Sequence, residues 1–282
     1  MVLNFIKVCC ICFAACLFFG CELSNSVEET PVLVEIERIE VGNNFTHQIS
    51  DAWVYIDNEF LGIHPLPATF PVLKSGVNTL IIEAGIKKNG ISSSREKYPY
   101  YSAFTVDTLL ELGQVLKLLP EVNHVINSFP FEEDFESIGT KLVVASDSTN
   151  HEIIKVYDNS NNSFGNYHAF VEIDGQNGEV FECTTENLNL PSDQSVYLEM
   201  DYKCNATLVV GLYINFSSQV NKTAIMYLNP KENWNKIYIS LSETISNYTN
   251  AQSFKLFFGT ARDTSIEKNT VYLDNIRLVY EE

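Results

Sequence analysis

The sequence predicts an all-β protein built as two tandem antiparallel β-sandwich domains, the second a jelly roll. Three observations predict it. Beyond residue 30 the apolar residues alternate with a period of two, and no long stretch repeats at helical spacing. Gly, Asn, Asp and Pro break that alternation into short runs. Hydrophobic residues make up 45% of the chain and aromatic residues 12%, enough for real cores. At 282 residues the chain accommodates two domains of the usual ~100–200 residues.

Residues 1–20 read as a signal peptide. Lys7 is its positive charge, Val8 to Phe19 is an unbroken apolar run, and polar Glu22, Ser24, Asn25 and Ser26 follow Gly20-Cys21. The run falls well short of the ~20 residues a spanning helix needs, so a cleaved export signal fits it. The segment resembles the lipobox of bacterial lipoproteins. That resemblance implies that Cys21 becomes the first residue and carries acyl chains, which would hold the protein on a membrane. Cys16, preceded by Ala14-Ala15, is the rival cut, but it shortens the apolar core and leaves Leu17 to Gly20 as an apolar stub. Glu22 stands where an aspartate often retains lipoproteins on the inner membrane. Resemblance to that sorting rule implies the outer membrane, at its periplasmic or cell-surface face. Residues 21–30 are then a polar, lipidated tether.

The first sandwich is expected over residues 31–126. Strands are expected at 32–39, 53–56, 60–62, 79–82, 104–106 and 115–118, with a tight turn at Asp57-Asn58 and another at Lys74-Ser75-Gly76. The segment AWVYIDNEFLGIHPLPATFPVLKSGVNTLIIEAG resembles the PEGA-type small β-sandwich modules of bacterial envelope proteins, which implies a spacer or an adhesion surface.

The second domain is expected over residues 127–282, opened by FPFEEDFES at Phe129 to Ser137. Ten strands are expected, at 141–145, 152–157, 168–173, 179–184, 195–202, 207–216, 223–228, 236–241, 253–258 and 270–279. FEEDFES, NWNKIYISLS and VYLDNIRLVY, in that order, resemble the galactose-binding-like and carbohydrate-binding jelly-roll modules of bacterial glycan-processing proteins. The resemblance implies a glycan partner and a structural Ca²⁺ held by Asp134 or Glu136 together with Asp274, calcium preferring six to eight hard oxygens. Asp274-Asn275 reads equally well as an edge-turn pair closing the last strand.

Other candidate sites come from the residues themselves. Tyr157, Tyr167 and His168 flank the polar loop at 158–166 and make the better surface for a sugar, which needs flat rings beside polar groups. Trp234 and Trp53 are read as fold residues. Lys87, Lys88, Arg95 and Lys97, followed by Tyr98, Tyr100 and Tyr101, form a basic, tyrosine-rich stretch in an acidic chain. It reads either as an edge for docking a protein or an anionic glycan, or as a hairpin whose lysines keep its edge soluble. Cys183 and Cys204, the two cysteines beyond the first 21 residues, are either a disulfide or two separately buried thiols.

Charge and motifs exclude other classes. With 36 acidic against 18 basic residues, the chain repels phosphate backbones, and nucleic acid is not expected as a partner. The histidines at 47, 64, 124, 151 and 168 are scattered, and no metalloprotease, nucleophile-elbow, Walker or dinucleotide motif occurs. No enzymatic activity and no cofactor beyond that calcium are expected. The sequence thus reads as a non-enzymatic envelope lipoprotein that displays a jelly roll for glycan or protein recognition. The alternative is a structural subunit of an envelope or secretion assembly that binds no sugar.

Overall fold

Alternating burial turns the first run into a strand with one face in a core. Val32, Val34 and Ile36 point inward along β1 (Val32–Ile36) while Leu33 and Glu35 point out. The computed structural model describes residues 30–42, 45–126, 129–145, 151–158 and 165–281, so Cys21 and the expected signal lie outside the described residues. Among the described residues no helix is long and apolar enough to cross a membrane.

The first unit continues with β2 (Glu40–Val41), β3 (Asp51–Ile56), β4 (Glu59–Pro65), β5 (Ala68–Val72), β6 (Gly76–Lys87), β7 (Arg95–Lys97), β8 (Phe104–Leu110), β9 (Val115–Leu118) and β10 (Glu121–Val122). One sheet orders β4-β3-β6-β7, with β8 also pairing β6; the facing layer orders β5-β1-β9, beside a short β10-β2 pair. Ala52, Val54 and Ile56, Phe70 and Val72, and Leu80, Ile82 and Ile86 close the core between them. The turn expected at Asp57-Asn58 joins β3 to β4 with φ of 50° and 65°, the left-handed pair that a type I′ hairpin requires. The pairing differs from an all-antiparallel expectation in two places: β1 with β9 and β2 with β10 run parallel. The chain between those partners traverses the whole sandwich, which gives the long crossover that parallel pairing needs.

The second unit comprises β11 (Phe131–Glu133), β12 (Val143–Val144), β13 (Ile154–Tyr157), β14 (Tyr167–Ile173), β15 (Val180–Thr184), β16 (Tyr197–Cys204), β17 (Leu208–Asn215), β18 (Val220–Leu228), β19 (Lys231–Ser240), a short helix α1 (Ser242–Ser246), β20 (Ser253–Ala261) and β21 (Asn269–Val279). They form a six-stranded sheet, β13-β14-β21-β16-β19 with β11 also on β21, facing a five-stranded sheet, β12-β15-β20-β17-β18. This is a two-sheet jelly-roll sandwich, and all its strand pairs are antiparallel. Its core includes Phe181, Leu198, Met200, Val210, Leu212, Phe258, Leu273 and Leu278. Cys183 and Cys204 sit in it as free thiols, one on β15 and one on β16, strands of opposite sheets. Burial pushes both thiols up, Cys204 to about 11.

On the outer face of the five-stranded sheet, Phe257 lies across Gly211, and a Cβ there would collide with that ring and with the Thr223 carbonyl. A backbone oxygen cannot rotate away. Gly211→Ala is therefore expected to cost at least about 1–3 kcal/mol, read as a lowered denaturant midpoint; an unchanged midpoint would show that the strands can part.

The two sandwiches are clamped together. Tyr98, 1% exposed, donates its hydroxyl to Glu199 Oε1 at 2.6 Å and packs edge-on to Tyr101, Tyr197 and Tyr238. Tyr101 and Tyr238 share a hydroxyl hydrogen bond of 3.0 Å, and the Tyr100 hydroxyl reaches the Ser195 carbonyl. Asn89 accepts from Ser240 N at 2.8 Å and donates its own N–H to the Tyr238 carbonyl at 2.8 Å. At the centre, Lys236 Nζ lies 3.4 Å from Glu199 and 3.7 Å from Asp201, and Thr46 donates to Asp201 at 2.5 Å.

Candidate functional site

That clamp accounts for the basic, tyrosine-rich stretch. Tyr98, Tyr100 and Tyr101 are buried against the second sandwich. Three of the four basic side chains are paired within the first: Arg95 with Asp51, Lys97 with Glu83 at 3.1 Å, and Lys88 with Glu96 at 3.3 Å. The docking edge expected for an outside partner is thus occupied by this chain's own jelly roll. Lys87 alone of the four enters none of the ion pairs among the described residues and lines a cleft between the sandwiches.

The surface expected from Tyr157, Tyr167 and His168 divides by strand parity. Tyr167 shares a face with core residues Ala169 and Val171, whereas His168 points the opposite way. Tyr157 and Tyr167, 59% and 36% exposed, meet edge-on at 5.4 Å beyond the end of the core, with the Lys155 ammonium 4.9 Å above Tyr167. His168 instead lies on the outer face of the six-stranded sheet, 5.3 Å from Trp234 and 5.7 Å from Tyr272. Burial holds its imidazole below the usual range.

Trp234, expected as a fold residue, is partly buried and faces outward. It ends a row that crosses the sheet one residue per strand. Ile154 pairs Phe170, Phe170 pairs Tyr272, Tyr272 pairs Lys203, and Lys203 lies beside Trp234. Phe170 and Tyr272 centroids are 4.9 Å apart, Tyr272 and Trp234 6.2 Å, and the Lys203 ammonium sits 4.0 Å over the Tyr272 ring. Phe170, Tyr272 and Trp234 all keep part of their surface in water. Beside them opens a cleft of about 440 Å³ that brings Lys203, Asn205, Glu232 and Thr270 around Tyr272. An outward row on a solvated sheet is ordinarily polar; ring faces there, bordered by an amine, an amide and a carboxylate, form a surface for a ligand with both apolar and hydroxyl-bearing faces.

The opposite sheet offers a contrast. Buried Glu182 accepts from the Tyr213 hydroxyl at 2.5 Å and from Lys222, whose ammonium also covers the Phe257 ring at 4.7 Å. There the lysine and the carboxylate neutralise each other, whereas Lys203 enters none of the ion pairs among the described residues.

The expected calcium ligands are in one neighbourhood but are not equivalent. Asp274 is 0% exposed, and its Oδ2 has no hydrogen-bond partner. Burial pushes its carboxyl up to about 8, with Asp201, Asp134 and Glu136 adding to the rise against a hydrogen bond from Asn275 N. An orphaned, crowded carboxylate oxygen fits a hard cation. Glu136 is otherwise engaged, accepting from Asn166 N at 2.6 Å and Tyr167 N at 2.8 Å. Asp134 caps the turn by accepting from Glu136 N at 3.1 Å. Among the described residues no group of three or more His, Cys, Asp or Glu is arranged to hold a metal ion. A cation at Asp274 would therefore draw most of its ligands from carbonyl oxygens and water.

No family model matches the chain, and no curated protein matches it by sequence. Solved structures do. The CBM22-1 xylan-binding domain of Paenibacillus barcinonensis Xyn10C matches at 12% identity and a TM-score of 0.39, over 54% of this chain and 93% of that one. A family 11 carbohydrate-binding module of Clostridium thermocellum, in complex with a β-1,3-1,4-mixed-linked tetrasaccharide, matches at 13% and 0.37, over 52% and 95%. The enzymatically active domain of tailspike protein 4 of bacteriophage CBA120 matches at 10% and 0.39, over 59% and 22%. At such identities and scores, nothing about ligand or activity passes from these proteins to this chain.

Proposed function

We propose that this protein is a non-enzymatic lipoprotein of the bacterial envelope, anchored through Cys21 in the outer membrane, whose jelly roll binds glycan along the row Phe170–Tyr272–Trp234. The observation that carries the reading is that row itself: partly exposed rings on an outward sheet face, where folding alone would place polar residues. Pyranose C–H faces stack on such rings, while Lys203, Asn205, Glu232 and Thr270 supply donors and acceptors for hydroxyls. The row offers rings, an amine, an amide and a single carboxylate, Glu232, rather than the paired carboxylates of a glycosidase, which supports a binding role over an enzymatic one. A cation at Asp274 would stiffen the base of the same sheet and take no part in recognition.

The test is binding of the detergent-purified full chain to immobilised glycans. Trp234→Ala with Tyr272→Ala is expected to weaken the best saccharide at least tenfold, or about 1.4 kcal/mol, with the melting temperature unchanged within a few degrees. Saccharide binding indifferent to both changes would remove the row from the site. An array without hits, together with co-purifying envelope proteins, would favour the assembly-subunit alternative.

A further inference from the structure

Between the sandwiches, the hairpin joining β6 to β7 faces the turn joining β18 to β19 across a cavity of about 340 Å³, within the ~300–1,000 Å³ of small-molecule sites. The cleft carries a charge opposite to that of the whole protein. The chain has twice as many acidic as basic residues, yet the cleft is lined by Lys87, Lys231 and Lys236 and by no Asp or Glu. Lys236 is neutralised from beneath by Glu199 and Asp201. Lys87 and Lys231 both line the cavity and enter none of the ion pairs among the described residues; Lys231 also borders the cleft beside Tyr272.

The rest of the lining is suited to hydroxyls and to a flat ring. Asn89 is locked in place, its side-chain oxygen accepting from Ser240 N and its backbone N–H donating to the Tyr238 carbonyl, which leaves its amide N–H₂ to donate. Asn235 donates to the Lys236 carbonyl at 3.2 Å and keeps its own oxygen as an acceptor. Asn229 adds a third amide, and Tyr227, 66% exposed, offers a ring with no packing duty.

We infer that this interdomain cleft is a binding site for a carboxylate-bearing saccharide, a uronic-acid unit, with Lys87 and Lys231 on the carboxylate, the asparagine amides on hydroxyls and Tyr227 on the ring. The ligand class rests on the glycan reading above; the site does not, because its cavity is half built by the first sandwich and shares only Lys231 with the cleft beside Tyr272. Neither sandwich alone supplies both lysines.

Calorimetric titration of the detergent-purified full chain with trigalacturonate, with the neutral galactose trisaccharide and with malonate tests the inference. Trigalacturonate is expected to bind at least tenfold tighter than the neutral trisaccharide, and to weaken as salt rises. Lys87→Glu is expected to reduce that preference at least fivefold, and Tyr227→Ala to weaken trigalacturonate itself at least fivefold, both at accessible side chains. Malonate binding as tight as trigalacturonate, equal affinity for the acidic and neutral sugars, or a preference indifferent to Lys87→Glu would each overturn the inference. Neutral glycan bound in a Trp234- and Tyr272-dependent manner, with no Lys87-dependent preference, fells this inference alone; no binding of either sugar also fells this inference, while the ring row stands or falls with the glycan array.

Discussion

Replacing Lys236 by alanine is expected to destabilise the protein by about 3–5 kcal/mol, the usual consequence of stripping the partner from a buried charge. Glu199 and Asp201 are 0% and 1% exposed and share this one ammonium. Burial alone would raise the Glu199 carboxyl; Lys236, then His124 and the Tyr98 hydroxyl, outweigh it and hold the group below its usual value. A carboxyl depressed in the fold gives stability that is present above its unfolded value and lost as pH falls. His124 acts in the same direction. Burial keeps its imidazole below the usual range, so acidification through about 6.5 favours the unfolded chain, which accepts the proton freely. Urea titrations of wild type, Lys236→Ala, and Lys236→Met combined with Glu199→Gln and Asp201→Asn are the measurement. The triple variant is expected to recover most of the loss, since it removes charge and partner together. A loss below about 1 kcal/mol in Lys236→Ala would mean that water reaches the pair.

Asp274 is expected to give the second large effect, with the opposite pH sign. Its carboxyl is raised in the fold to about 8 from an ordinary 3.8, so the stability it contributes is full below about 4 and lost as pH rises to 8. At pH 8 and without divalent cations, Asp274→Asn is therefore expected to be more stable than wild type by up to a few kcal/mol. Calcium reverses the ranking. At 100-fold excess over its dissociation constant a ligand adds about 2.7 kcal/mol, or roughly 5–10 °C in melting temperature for a domain of this size. That rise is expected in wild type and not in Asp274→Asn. If calcium and chelator leave the wild-type melting temperature unmoved, no cation binds there, and the edge-turn reading of Asp274-Asn275 stands.

Period-two alternation made the sandwiches legible, and the places where it failed have physical causes. β6 runs from Gly76 to Lys87, far beyond the expected 79–82, because Glu83 and Gly85 occupy outward positions that read as the end of a strand. β5 was hidden by Pro67 and Pro71, which an edge strand tolerates on its unpaired side. The interface was the least legible feature. In β16, Tyr197, Glu199 and Asp201 alternate with Leu198 and Met200 as water-facing residues do, and they are buried by Tyr98, Tyr100, His124 and Thr46 from outside the jelly roll's core together with Lys236. The one available signal was the cluster of Tyr98, Tyr100 and Tyr101, which marked a docking surface without naming its partner. The ring row left no linear signature, since Phe170, Tyr272 and Trp234 come from three distant strands and meet only through register. Tyr157, Tyr167 and His168 showed the converse: neighbours in sequence, but set apart by the pleat.

The shared charge pocket under Lys236 also bears on inheritance. Small sandwiches are commonly shuffled between genes as beads on a string, each indifferent to its neighbour. Here, exchanging the first half for a foreign sandwich would leave Glu199, Asp201, Lys236 and the rings of Tyr197 and Tyr238 without their partners from that half. The two halves form a matched pair, and a chimera that keeps only one of them is expected to be less stable than the intact chain.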